Sequence, residues 1–163
     1  MRVEVLMSKQ VATCKPQDSL HTAARLMWEC DCGCVPVVDE NSKVTGMITD
    51  RDICMATYFQ DKPLRALSVS SSMSKRIYTC RPEDTVESAE GSMQANQVRR
   101  LPVVSASGRI VGIISINDIA REAAREHNPG KREVTEAEVA ATVAAVCEPH
   151  TNKESQRQLQ PAT

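Results

Sequence analysis

Residues 102–119 read PVVSASGRIVGIISINDI, and residues 36–53 read PVVDENSKVTGMITDRDI in the same frame. Each stretch begins as an apolar run, breaks at polar turn residues, resumes through Gly112 or Gly46, and ends on a hydroxyl residue three positions before an aspartate. That pattern predicts two strands joined by a turn and running into a helix, because short side-chain oxygens satisfy the first amides of a helix and Ser, Asn, Asp and Gly suit turns. Extended outward, residues 7–53 lie over residues 73–119 without a gap, and 16 of the 47 positions are identical. Met7-Ser8-Lys9 meets Met73-Ser74-Lys75, Thr13-Cys14 meets Thr79-Cys80, and Pro16 and Asp18 meet Pro82 and Asp84. The chain is an internal duplication with a period of 66 residues.

Each copy is predicted as strand, helix, strand, turn, strand, helix. In copy one, Val11 to Cys14 forms a short strand stopped by Pro16, and Asp18 or Ser19 caps a helix over 19–31. Gly33 is the predicted stop, since glycine tolerates positive φ. Residues 34–38 are a buried strand, 39–42 a turn and 43–49 a third strand, with the last helix starting near Asp50. Copy two follows the same order with Ser105 to Gly108 as its turn. The segments are repeat one at 5–60, a linker at 61–72 whose loosest part is Ser68 to Ser72, and repeat two at 73–127. A turn and helix follow at 128–148, then a disordered tail at 149–163. Thr135 and Glu138 have capping-box spacing at the start of that helix, near 135–148, and Val139, Val143 and Val146 form its apolar stripe.

Composition removes several classes of function. The net charge is -1 and aromatic residues are 2% of the chain, so neither a polyanion partner nor a base-stacking platform is expected. No segment approaches the roughly 18–20 apolar residues of a membrane span, and the amino terminus does not resemble a signal peptide, so a cytoplasmic location is expected. Seven cysteines is an odd number, and reduced thiols are the default in that compartment.

The tandem PVV, turn, G-hydrophobic-hydrophobic-[ST]-x-x-D-hydrophobic pattern, with GMITDRDI at 46–53 and GIISINDI at 112–119, resembles the cystathionine-β-synthase (CBS) domain pair, or Bateman module. The resemblance covers roughly residues 5–127 and is nearest to stand-alone bacterial and archaeal members. It implies an α+β fold of two βαββα repeats about a pseudo-twofold axis, packed sheet to sheet, with the helix near 135–148 added. It also implies two clefts for adenosyl ligands, with AMP, ADP or ATP first and NAD or S-adenosylmethionine as further choices. It implies a homodimer formed through helices and an unidentified protein partner, and no chemistry.

Within that resemblance, Asp118 suits a ribose diol and Ser115 a ribose or phosphate oxygen, with Thr49 and Asp52 as the equivalent pair. Helix N-terminal amides nearby favour an anion. The plainer reading is that Asp52 and Asp118 are helix caps and nothing more. By resemblance, the residues before PVV turn basic groups toward the cleft of their own copy's aspartate. Copy two has Arg99 and Arg100 there and copy one has Gly33 and Cys34, so the Ser115–Asp118 cleft is expected to take the phosphate. The alternative is two solvated arginines. Arg51 is a further candidate whose direction the sequence leaves open.

Cys32, Gly33 and Cys34 are expected, again by resemblance, to line the cleft of the other copy, where small side chains let a base approach the backbone. Cys32 lies over Val98, so its place is an apolar one. The C-x-C-x-C spacing around Cys30 is not that of a zinc knuckle or ribbon, and His21, His127 and His150 are the only histidines, so no metal site is expected. Cys14 and Cys80 read as core, while Cys54 and Cys147 have no nucleophile's partner. The chain has no nucleophile–base set and no Gly-rich phosphate loop, so it is not expected to be an enzyme. The leading expectation is a regulatory module that binds an adenine nucleotide and signals in trans. The alternatives are a ligand-independent dimerisation or interaction module and a thiol-based redox sensor.

Overall fold

A computed structural model describes residues 1–125 and 134–149. The turn at Asn128-Pro129-Gly130, His127, His150 and the tail from residue 150 onward lie outside the described residues. The elements are α1 (Val3–Leu6), α2 (Leu20–Glu29), β1 (Cys34–Val38), β2 (Val44–Thr49), α3 (Asp50–Gln60), α4 (Val86–Asn96), β3 (Arg100–Val104), β4 (Ile110–Ser115), α5 (Ile116–Arg125) and α6 (Glu136–Val146). The fold is α+β, with antiparallel hairpins β1–β2 and β3–β4. Their registers correspond, with Val37 opposite Gly46 and Val103 opposite Gly112, and each carries an irregularity just after that pair.

Several local expectations are met and others corrected. Ser19, not Asp18, caps α2, accepting from Thr22 N–H at 3.2 Å, while Asp18 accepts from Lys15 N–H at 2.8 Å. The left-handed residue after α2 is Asp31 (φ 48°) rather than Gly33, and Gln97 (φ 50°) takes the same place after α4. The first strand of each copy shrinks to one parallel bridge, Cys14 to Val37 and Cys80 to Val103. Cys14 N–H donates to Pro36 O at 3.2 Å and Cys14 O accepts from Val38 N–H at 2.9 Å. Extending that ladder in either direction needs an N–H from Pro36 or Pro16, and proline has none. Pro102 and Pro82 truncate copy two in the same way.

The segment ahead of each copy packs on the other copy. Val3 is buried with Cys80, Val86, Met93 and Ile114, whereas Val69 is buried with Cys14, Leu20, Met27 and Ile48. Val3 N–H donates to Asp84 O at 2.9 Å and Val69 N–H to Asp18 O at 2.8 Å. Ser68 to Ser72 is therefore not loose: it holds a 3₁₀ turn at Val69–Ser71 whose first side chain is wholly buried. Further on, Ser8 bridges to Ile113 on β4 and Ser74 to Met47 on β2. These crossings explain the two motif glycines. A Cβ on Gly46 would lie 3.0 Å from Ser74 O and 2.7 Å from Met73 Sδ, and one on Gly112 would lie 3.1 Å from Ser8 O and 2.6 Å from Met7 Sδ. Lys43 pairs with its own equivalent, Arg109, where the copies meet on the pseudo-twofold axis.

Helix α6 begins with the expected capping box: Thr135 N–H and Oγ1 donate to Glu138 Oε2, each at 2.8 Å. It lies on α4 and α5. Its inner face is Val139, Thr142 and Val146, at spacings of three and four, while Val143, one step round from Thr142, is 42% exposed. The Val139–Val143–Val146 stripe is corrected accordingly. Thr142 Oγ1 accepts from Gln94 Nε2 at 2.7 Å and lies 3.1 Å from Glu90 Oε1. Burial pushes the Glu90 carboxyl above its ordinary range, the Thr142 bond opposes that shift, and Glu138 and Glu87 add to it.

Candidate functional site

The turn from β2 into α3 is closed by Thr49 and Asp52. Thr49 N–H and Oγ1 donate to Asp52 Oδ2 at 2.9 and 2.8 Å, and Asp52 N–H donates back to Thr49 Oγ1 at 3.1 Å. Ser115 and Asp118 repeat the arrangement at 2.8, 2.6 and 3.3 Å. Thr49 is thus the cap of α3 with Asp52 as its capping-box partner, Ser115 and Asp118 make the same bonds, and only Oδ2 of each aspartate is used. At Asp118, Arg121 one turn along α5 ion-pairs with Oδ1. Met55 stands at the equivalent position in copy one, and no hydrogen bond among the described residues reaches Asp52 Oδ1. At Asp52 capping and a ligand role are compatible, because one carboxylate oxygen serves each.

Two clefts run between the copies. The smaller, about 360 Å³, contains Ser115, Asp118, Arg121 and Arg100, facing Ser8, Gln10 and Ala12 with Cys32 and Cys34 of copy one. The larger, about 700 Å³, contains Thr49, Arg51, Asp52 and Gly33 from copy one. Copy two contributes Ser74, Arg76, Tyr78, Arg99 and Arg100 to it, and Cys147, Glu148 and Pro149 close one side. Both volumes are in the range of small-molecule sites, roughly 300–1,000 Å³.

The expected grouping is revised at four residues. Arg99 lines the Asp52 cleft rather than that of Asp118, its guanidinium donating to Cys147 Sγ at 3.6 Å. Gly33 lines the Asp52 cleft as well, apart from Cys32, while Arg100 and Cys34 border both. Arg99 lies in the bend just before β3 and borders only the Asp52 cleft, while Arg100, the first residue of β3, borders both. Arg51 faces the Asp52 cleft, which settles its direction. Sequence reasoning missed Arg76 and Tyr78, which stand where copy one has Gln10 and Ala12. Comparing those positions across the duplication was the available signal, once the crossing of the leading segments is known.

Four of the thiols, Cys14, Cys32, Cys34 and Cys80, are poorly suited to ionise. Burial pushes Cys14 and Cys80 up to about 12, with Asp18 and Asp84 adding to the effect. Burial also raises Cys34, against the pull of Arg100, and raises Cys32, against its bond to Cys34 O. A raised thiol holds less of the nucleophilic thiolate. Among the described residues no group of three or more His, Cys, Asp or Glu is arranged to hold a metal ion.

A family model of the CBS domain matches residues 3–58 and again 67–125, and the chain belongs to that family as a tandem pair. It is 37% identical over 118 residues to the CBS domain-containing protein YhcV of Bacillus subtilis, covering 72% of this chain and 82% of that one. The solved CBS domain pair of protein MJ0100, in complex with 5'-methylthioadenosine and S-adenosyl-L-methionine, has a TM-score of 0.67 and 27% identity, covering 74% of this chain and 98% of the other. The inosine-5'-monophosphate dehydrogenase of Methanocaldococcus jannaschii is 31% identical over 149 residues, and there the match takes in 91% of this chain but only 28% of the enzyme. Among the described residues no helix is long and apolar enough to cross a membrane.

Proposed function

We propose that this CBS pair is a non-catalytic regulatory module that takes adenosyl ligands in both clefts and passes the bound state to a partner protein in trans. The phosphorylated ligand, AMP, ADP or ATP, belongs to the Asp52 cleft. The observation that carries this is the meeting of Arg51, Arg76, Arg99 and Arg100 in one cavity with an aspartate whose Oδ1 makes no ion pair among the described residues. Asp52 accepts the ribose diol, Thr49 donates to ribose or phosphate, and the arginines hold phosphate oxygens. The Asp118 cleft has Arg100 and Arg121 as its cations, and Arg121 is already paired, so an adenosyl ligand with less negative charge suits it, with Ser115 and Asp118 at the ribose and Cys32 and Cys34 near the base. The MJ0100 pair holds ligands of that kind.

The reading extends to a cytoplasmic homodimer. Trp28, Tyr58 and Phe59 on α2 and α3 are 87%, 75% and 75% exposed, and a second copy suits that face. Thermal unfolding with AMP, ADP, ATP, NAD and S-adenosylmethionine tests the ligand sites. A ligand at 100 times its dissociation constant adds about 2.7 kcal/mol of stability. Asp52→Ala is expected to abolish the gain from ATP, and Asp118→Ala to spare it. A wild type that no adenosyl ligand stabilises instead supports a ligand-independent interaction module.

A further inference from the structure

The end of α6 borders the Asp52 cleft through contacts that the cleft's own residues make. Gln97 Nε2 lies 3.2 Å from Glu148 O and 3.5 Å from Ala145 O, satisfying carbonyls that a helix end leaves without partners. Arg99, two residues on, donates to Cys147 Sγ. Copy one has Asp31 and Gly33 at these positions, and neither offers a side-chain donor to a helix end. Glu148, an acidic residue, borders the same cavity as the four arginines. Elsewhere α6 is held by one face, on which Thr142 and Val146 are buried and Val139 partly covered, and by the bonds of Thr142 with Gln94 and Glu90. Such a helix, attached through one face, can open as a unit while both repeats stay folded.

We propose that α6 is a displaceable wall of the Asp52 cleft, released when a phosphorylated ligand draws Arg99 away from Cys147 and sets its phosphates against the Glu148 carboxylate. The proposal rests on the ligand reading above and names the moving part that reports it. A ligand shifts such an equilibrium only through different affinities for the two states. Here the difference is charge: with α6 docked, phosphate meets a carboxylate and a shared arginine, and with α6 released it meets arginines alone. The α4–α5 surface under α6, including Met93 and Ile119, then becomes available to a partner.

Hydrogen exchange of the full chain, read by mass spectrometry with saturating ATP and with adenosine as the phosphate-free control, tests this. Backbone amides of residues 139–147 are expected to exchange at least about tenfold faster with ATP and unchanged with adenosine, a tenfold change being a modest shift in an opening equilibrium. Glu148→Gln is expected to bind ATP about fivefold tighter, the scale of one nearby surface charge. ATP that binds, seen as a raised unfolding midpoint, while α6 exchange stays the same or slows overturns the wall and leaves the ligand site standing. Equal acceleration by adenosine, or unchanged ATP affinity in Glu148→Gln, overturns the charge mechanism. Failure of ATP to bind at all overturns the site reading and the wall together.

Discussion

Position 28 is Trp and position 94, its equivalent, is Gln. On copy two, Gln94 reaches Thr142 and the helical face beneath α6 is closed. On copy one the same face is a groove of about 440 Å³ lined by Ala24, Met27, Trp28 and Ile53, and nothing among the described residues fills it. One ancestral surface has become two. Copy two has Glu90, Gln94 and Gln97, which satisfy an attached helix, where copy one has Ala24, Trp28 and Asp31, the first two of which suit an apolar partner.

The largest expected effect comes from the methionines beneath these faces. Met93 is fully buried under α6, whereas Met27 retains 6% exposure beside the open groove. Both alanine substitutions are expected to cost about 2–5 kcal/mol in denaturant unfolding, with Met93→Ala the worse because its cavity stays sealed. The reverse order breaks the comparison. Next is Glu90→Gln, expected to stabilise at neutral pH by on the order of 1 kcal/mol, since it removes a buried charge and keeps the acceptor for Thr142. Because the folded Glu90 carboxyl sits above its unfolded value, its contribution is fully present below the ordinary glutamate range and is lost as pH rises through the folded value. Wild-type stability relative to Glu90→Gln should therefore fall as pH rises across that window, and a flat difference denies the burial of this charge. The smallest change in stability is expected from Trp28→Gln, within about 0.5 kcal/mol for an exposed side chain. Its effect is expected in sedimentation equilibrium instead, as a shift from dimer to monomer, and an unaltered association state removes the groove from the dimer interface.

These contrasts also mark what was legible in the sequence. The hairpins, the Thr49–Asp52 and Ser115–Asp118 turns and the α6 capping box are set by bonds between residues a few positions apart, so their spacing reveals them. The family likewise followed from those local signatures. The crossing of Val3 and Val69 left no local mark, since each side chain is a valine in an ordinary apolar run that either core accepts. That crossing decides which copy supplies Arg76 and Tyr78 to the Asp52 cleft. Arg99 departs from expectation for a different reason: it lies in a bend before β3, whose direction no spacing rule gives, and a motif read as a pair of arginines conceals that. The truncated first strands were readable in retrospect from the prolines at 16, 36, 82 and 102.

The crossed leading segments also impose an order on synthesis. As the chain leaves the ribosome, copy one cannot close its core when residue 60 emerges, because Val69 and the bridge at Ser74 come later. Copy two, by contrast, needs residues 3–8, which have been outside from the start and must stay uncommitted until Asp84 and Ile113 arrive. Pairings so distant in sequence slow folding and leave apolar surface open meanwhile. The first half of this molecule is thus completed by its successor, and the second half by a strip of chain that has waited for it.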